Sequence, residues 1–182
     1  FTLGIQLMIG LPGDSLESCI YSARETVKTA PEIARLYPTI IIEDTELLEM
    51  YRRGEYSPLT LDEAVAVTKE MYRILDAAGI NIIRVGLKST DIINEDGAIT
   101  GGTYHPAFRQ LVESSIAREE IEKQLTATSG NISVMCNPSD ISNAAGHNGC
   151  NRKYFAGKYP GLHISFKKEE SLDRNKYIVI QC

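Results

Sequence analysis

The sequence predicts an α/β fold in which parallel strands are joined by crossover helices, followed by a smaller α+β unit. Strand-like runs at residues 4–9, 32–42 and 80–87 are separated by helical patterns, the order expected of a parallel sheet. The helical stretches carry apolar stripes at the 3–4 residue spacing of a buried helix face. The charge balance also changes sign along the chain. Residues 1–130 hold 12 Lys and Arg against 20 Asp and Glu, whereas residues 131–182 hold 7 against 4. An acidic body and a basic tail point to two units with different partners.

The elements follow from local chemistry. Gly4 to Ile9 is β-rich and ends in Gly10-Leu11-Pro12-Gly13-Asp14. That stretch lacks the Lys and the glycine spacing of a nucleotide-binding P-loop and does not match GxGxxG either. It reads as a tight turn from strand to helix, with Gly13 free to take positive φ and Asp14 or Ser15 able to cap a helix to about Thr29. Glu32 to Ile42 is the second strand. Thr45 to Arg53 is a short helix with Leu47, Leu48 and Tyr51 on one face, stopped by Gly54. Thr60 and Glu63 form a capping box ahead of a long helix with the stripe Ala64, Val67, Met71, Ile74, Leu75 and Ala78, ended by Gly79. Ile80 to Leu87 is the third strand, and residues 94–102 form a Gly-containing turn or hairpin. Pro106 suits the first position of a helix running to about Gln124. The polar stretch from Thr126 to Gly130 sets the expected boundary, giving units 1–128 and 129–182. In the second unit, Ile132 to Cys136 is a strand and Ser139-Asp140 caps a helix from Ile141 to Ala145. A second helix runs from about Cys150 to Lys158, and residues 162–167 and 177–180 are strands.

Composition removes several function classes. The longest apolar run, Ile40 to Ile42, cannot span a membrane. The cysteines Cys19, Cys136, Cys150 and Cys182 show no CxxC or metal-finger spacing and read as reduced thiols, with the cytoplasm as the expected location. No CxxxCxxC, HExxH or GxxxxGKS/T occurs, so no metal ligands are expected in this chain.

Polar side chains mark one face of the sheet. In the first strand Gly4, Gln6, Met8 and Gly10 alternate with Ile5, Leu7 and Ile9; in the second Arg35, Tyr37 and Thr39 alternate with Ala34, Leu36 and Ile40. In the third, Ile82, Arg84 and Gly86 are expected opposite Ile83, Val85 and Leu87. Three polar strand faces side by side would line a hydrated, concave ligand site, as at the carboxyl ends of strands in barrels and open α/β sheets. An exposed sheet face, or internal ion pairs around Arg35 and Arg84, would account for them as well.

Several segments resemble radical-SAM enzymes. GIQLMIGLPGD is similar to a strand and turn of these proteins, including oxygen-independent coproporphyrinogen oxidases, and Arg35 to Tyr56, RLYPTIIIEDTELLEMYRRGEY, closely resembles the catalytic subunit of elongator and its bacterial relatives. INIIRVGLKSTD and YHPAFRQLVE fit the same pattern, so the resemblance covers about residues 3–120. It implies the C-terminal part of a partial (β/α)6, TIM-like barrel. It further implies S-adenosylmethionine and a [4Fe-4S] cluster in the parent protein, the cluster being held by a CxxxCxxC motif that this sequence lacks. By resemblance, Gln6 faces the ribose of S-adenosylmethionine, Gly10 lies near the cofactor, and Arg35, Tyr37 and Arg84 line the lumen. The acetyltransferase domain of elongator has no counterpart here, so acetyl transfer is not implied.

Gly146-His147-Asn148-Gly149 lies between two short predicted helices, after one strand and before two more. This order resembles a KH domain, whose GxxG loop clamps single-stranded nucleic acid, with Arg152 and Lys153 one turn later as counter-charge. A helix–turn–helix corner that needs its glycines for packing accounts for the same residues. The sequence therefore predicts the C-terminal fragment of an elongator-like radical-SAM enzyme acting on tRNA, with a small KH-like α+β module. The fragment is expected to be inactive by itself and to bind no cofactor. It is also expected to self-associate through an exposed sheet edge. The alternatives are a fragment of an oxygen-independent coproporphyrinogen III oxidase-like protein and a non-catalytic RNA-binding module.

Overall fold

The computed structural model describes residues 1–88 and 99–181. The chain divides into two compact units, Phe1–Arg109 and Gln110–Cys182. The expected boundary after residue 128 therefore moves upstream, because Ala117 and Ile121 of the helix before the polar stretch are fully buried in the core of the second unit.

In the first unit, strands β1 (Gly4–Ile9), β2 (Ile33–Pro38) and β4 (Asn81–Val85) form a parallel sheet in the order β1-β2-β4. Helices α1 (Leu16–Lys28) and α3 (Leu61–Ala77) pack on each other and against this sheet. The branched aliphatic positions meet them: Ile9, Leu36, Ile82 and Val85 are buried, as are Cys19 and Ala23 of α1 and Ala64, Met71 and Leu75 of α3. Both helices start on reciprocal caps. Ser15 and Ser18 exchange side-chain and backbone hydrogen bonds at α1, and Thr60 and Glu63 do so at α3.

Glu32 to Ile42 is one strand by composition but two in the fold. After Pro38 the chain leaves the parallel sheet, and β3 (Ile40–Ile42) pairs antiparallel with β5 (Ile99–Gly102). The short helix α2 (Glu46–Arg52), capped by Thr45, covers β3 through Leu48, while Tyr51 stays exposed. The expected turn at residues 94–102 lies largely outside the described residues; its last four form β5. Helix α4 begins at Phe108 rather than Pro106, its first turn led by His105, whose Nδ1 accepts from the Ala107 N–H.

In the second unit, β6 (Ser129–Cys136) is central, parallel to β7 (Gly161–Lys168) and antiparallel to β8 (Tyr177–Gln181). Helices α4 (Phe108–Lys123), α5 (Ile141–Ala145) and α6 (Cys150–Lys158) contribute Ala117, Ile121, Ala144 and Phe155 to a core shared with Ile132, Val134, Cys136, Leu162 and Tyr177 of the sheet. Asp140 does not cap α5 with its side chain as expected. It is fully buried and accepts from Arg174 Nε (2.7 Å) and the Asn175 N–H (2.8 Å), tying the turn before β8 to the start of the helix.

Candidate functional site

Strand alternation places Gly4, Gln6 and Met8 of β1 and Ile33, Arg35 and Tyr37 of β2 on the sheet face that the helices leave open. Gln6, Arg35 and Arg84 are Cα partners across the three strands, so they form one row. Met8 and Tyr37 are partners in the next row toward the carboxyl ends. A recess of about 130 Å³ lies beside this row, lined by Gly4, Ile5, Gln6, Ile33 and Arg35.

The third strand corrects its expected facing. A bulge falls where Ala34 pairs with Ile82 but Arg35 pairs with Arg84, which leaves Ile83 as the extra residue. Ile82 is therefore buried toward the helices, not grouped with Arg84, and Ile83 is exposed. The period-2 rule assumes an unbroken ladder, and one inserted residue reverses its phase. Thr39, expected on the open face, is buried beyond the end of β2. Arg35 and Arg84 are both exposed, and no acidic side chain pairs with either among the described residues.

Gly10 is buried at the carboxyl end of β1. Its φ is +82°, and a Cβ there would meet Leu59 at 3.0 Å, so glycine is demanded by fold. Its carbonyl accepts a 2.6 Å hydrogen bond from the buried hydroxyl of Tyr56, the last residue of the YPT-to-GEY block. Thr103 Oγ1 in turn donates to the Leu59 carbonyl at 2.6 Å. Sequence reasoning did not single out Tyr56; the only signal was its place in that block. The Leu11–Asp14 turn is closed by the Asp14 N–H on the Leu11 carbonyl and by the Leu11 N–H on the Asp14 carboxylate, both at 2.9 Å.

In the second unit, the Gly146–Gly149 stretch joins α5 to α6 as a tight corner. Gly146 has φ +83°, and a Cβ there would lie 2.5 Å from Cys150 Sγ and 2.6 Å from the Asn151 nitrogen. Gly149 also has positive φ, +71°, but open space around it. Nδ2 of Asn151, buried below the corner, donates to the carbonyls of Ser114, Asn143 and Ala144. His147 is engaged, its Nδ1 2.9 Å from Gln110 Oε1, and Asn148 Nδ2 approaches its Nε2 at 3.1 Å. The Arg152 guanidinium stacks 4.7 Å over the Phe166 ring, and Lys153 is exposed. The corner thus brings Gly149, Asn148 and Lys153 to the surface, while Gly146 serves packing.

Residues 31–118 match the radical SAM C-terminal domain. This stretch of the chain belongs to that family. Within the radical-SAM domain the kinship is elongator-like. Over 64 residues the chain is 38% identical to the tRNA uridine(34) acetyltransferase of Methanocaldococcus jannaschii. It is 39% identical, also over 64 residues, to the enzyme of that name from Methanocaldococcus infernus. Each match covers 34% of this chain and 12% of the relative. The solved structure of Methanocaldococcus infernus Elp3 with an N-terminal deletion (1–46) matches with a TM-score of 0.56 at 26% identity, over 65% of this chain and 27% of that one. The chain thus spans only a minor part of the length of the relatives it matches.

Radical-SAM proteins use S-adenosylmethionine and a [4Fe-4S] cluster. Among the described residues no three His, Cys, Asp or Glu side chains come together to hold a metal ion. Cys19 and Cys136 are buried and separately packed, and the Cys136 thiol is pushed up to about 11 by burial and by the charge of Asp140. These residues do not fit an iron–sulfur cluster. No helix among them is long and apolar enough to cross a membrane.

Proposed function

We propose that the chain is the C-terminal part of an elongator-like radical-SAM enzyme that acts on tRNA in the cytoplasm. In this reading the open face of β1, β2 and β4 is a wall of the reaction chamber of a partial (β/α)6 barrel. The observation that carries it is the row Gln6, Arg35 and Arg84, aligned on the sheet face that the described helices leave open, with Arg35 and Arg84 inside the stretch 31–118 that matches the family. A buried helix-facing surface cannot hold such groups without partners, whereas a chamber wall needs them. In this reading the Gln6 amide hydrogen-bonds a sugar hydroxyl of S-adenosylmethionine. Met8 and Tyr37 offer an apolar shelf beside it, and the carboxyl end of β1 at Gly10 is kept in shape by Tyr56.

By itself the chain holds no cluster and carries out no radical chemistry. Anaerobic reconstitution tests this. The longer protein, with its CxxxCxxC, should gain cluster absorbance and release 5′-deoxyadenosine, and the 182-residue chain should do neither. Release of 5′-deoxyadenosine by the short chain, or its absence from a fully reconstituted long one, would refute the reading. As an edge strand, β1 is free to pair with another chain, so the short chain should self-associate. Light scattering showing a monomer at all concentrations would exclude that.

The second unit is proposed to hold single-stranded RNA in the KH-like manner, through Gly149, Asn148, His147, Arg152 and Lys153 around the corner at Gly146. The part of that unit that carries the corner, residues 131–182, holds 7 basic against 4 acidic residues, which supports it. Gly149→Asp is the clean probe, because that position has open space while a side chain at Gly146 would disrupt the corner. Salt-dependent retardation of tRNA in a gel should weaken at least tenfold; unchanged retardation would exclude the loop. Binding by the short chain with no reaction in the long one would instead favour a non-catalytic RNA-binding module. A porphyrinogen substrate has only the GLPG turn in its favour, and turnover of one by the long protein would establish it.

A further inference from the structure

The β4 bulge has a specific result: it brings Arg84 level with Arg35. From the buried Ile82, plain alternation would send Ile83 outward, Arg84 toward the helices and Val85 outward. The inserted residue instead sends both Ile83 and Arg84 to the open face and returns Val85 to the core. Bulges of this kind re-aim side chains beside functional sites. Two guanidinium groups then stand on neighbouring strands in register, about 5 Å apart at the backbone, where like charges repel. No acidic side chain among the described residues neutralises either one. An arrangement that costs stability and is built by a dedicated irregularity points to a ligand carrying the missing negative charge.

The chemistry narrows that ligand. Adjacent guanidinium forks match the oxygens of a phosphate, each giving paired N–H donors to it. S-adenosylmethionine offers one carboxylate, and its sulfonium is itself a cation, so two arginines overcompensate it. A polynucleotide brings a phosphate at every nucleotide. We infer that Arg35 and Arg84 form a phosphate clamp for the substrate nucleotide. The inference rests on the reading that the substrate is tRNA. It assigns the anion to substrate, leaving Gln6 and the Met8–Tyr37 row for the cofactor.

The test uses the full-length reconstituted enzyme and three probes, uridine 5′-monophosphate, uridine and S-adenosylmethionine, each titrated calorimetrically. The nucleotide should bind at least tenfold more tightly than the nucleoside. Arg35→Gln and Arg84→Gln should each remove that advantage while S-adenosylmethionine affinity changes less than twofold. Arg84→Lys should recover part of it. Unchanged circular dichroism, and thermal midpoints equal to or above that of the parent as the like-charge pair is relieved, verify folding. Equal binding of nucleotide and nucleoside overturns the clamp, as does loss of S-adenosylmethionine rather than nucleotide in Arg84→Gln, which would assign the anion to the cofactor carboxylate. Gel retardation of tRNA separates the two readings. Retention of tRNA with no nucleotide preference sinks the clamp alone. A nucleotide preference without tRNA retention upholds a phosphate site and sinks the tRNA substrate.

Discussion

The hydroxyl of Tyr56 donates a 2.6 Å hydrogen bond to the carbonyl of Gly10, joining residues 46 positions apart at the carboxyl end of β1. Tyr56 is also part of the small core around Ile41 and Leu48, so its ring is anchored independently of its hydroxyl. Burial raises the pKa of that hydroxyl, with the Asp14 charge adding to it, so it remains a donor at neutral pH. Tyr56→Phe keeps the ring and strands a buried carbonyl. It should cost about 1–3 kcal/mol, read as a lower urea midpoint. An unchanged midpoint would mean that water replaces the hydroxyl there.

The two glycines of the second-unit corner should respond differently. Gly146→Ala places a Cβ within 2.6 Å of the Asn151 backbone and should cost at least about 3 kcal/mol or abolish folding of that unit. Gly149→Ala meets only its positive φ and should cost about 1–2 kcal/mol. Thermal unfolding of the two variants side by side checks the ranking.

Tyr177 is buried in the second core, and among the described residues its hydroxyl has no hydrogen-bond partner. Removing an unsatisfied buried hydroxyl while keeping the ring relieves a desolvation cost. Tyr177→Phe should therefore raise stability by up to about 1 kcal/mol, seen as a higher denaturant midpoint with the same slope.

Asp140 is fully buried between Arg174 and the Asn175 N–H. Asp140→Ala leaves that N–H without its acceptor and cuts the tie between the helix start and the turn before β8. A loss of about 3–5 kcal/mol is expected in equilibrium unfolding. Arg174→Ala, losing the more exposed partner, should also destabilise by leaving the carboxylate short of a charge.

The second unit should be sensitive to base. Burial raises the Cys136 thiol to about 11, and burial also raises the Tyr177 hydroxyl well above its ordinary range. A raised pKa means that the folded state holds its proton more tightly than the unfolded chain. The associated stability is complete below the unfolded thiol value of about 8.5 and is lost as pH climbs toward 11. Denaturant midpoints should be level from about pH 6 to 8 and fall above about 9, and Cys136→Ala should remove the earlier part of the fall.

Legibility followed the range of the interactions involved. The capping boxes at Ser15 and Thr60 span three residues, and the alternation of β1 needs only its own six. The polar row was readable for Gln6 and Arg35 for that reason. The facing of Ile82 was not, because the bulge is a relation between two strands some 50 residues apart. The break of residues 32–42 into strands of separate sheets depended likewise on where β5 lies. Tyr56 and Asn151 were missed because Gly10 and the Ser114 carbonyl, which they meet, lie 46 and 37 positions away.

By itself the sequence determined the alternation of strand and helix, the caps that start the helices, the charge contrast between residues 1–130 and 131–182, and the radical-SAM kinship. Those properties reside in neighbouring residues and in motif identity. Tertiary structure alone decided that Arg84 stands beside Arg35, that Gly146 serves packing while Gly149 faces open space, and that α4 contributes to the second core. Each of these depends on which distant atoms share a volume, and excluded volume and backbone pairing are settled only when the chain closes on itself.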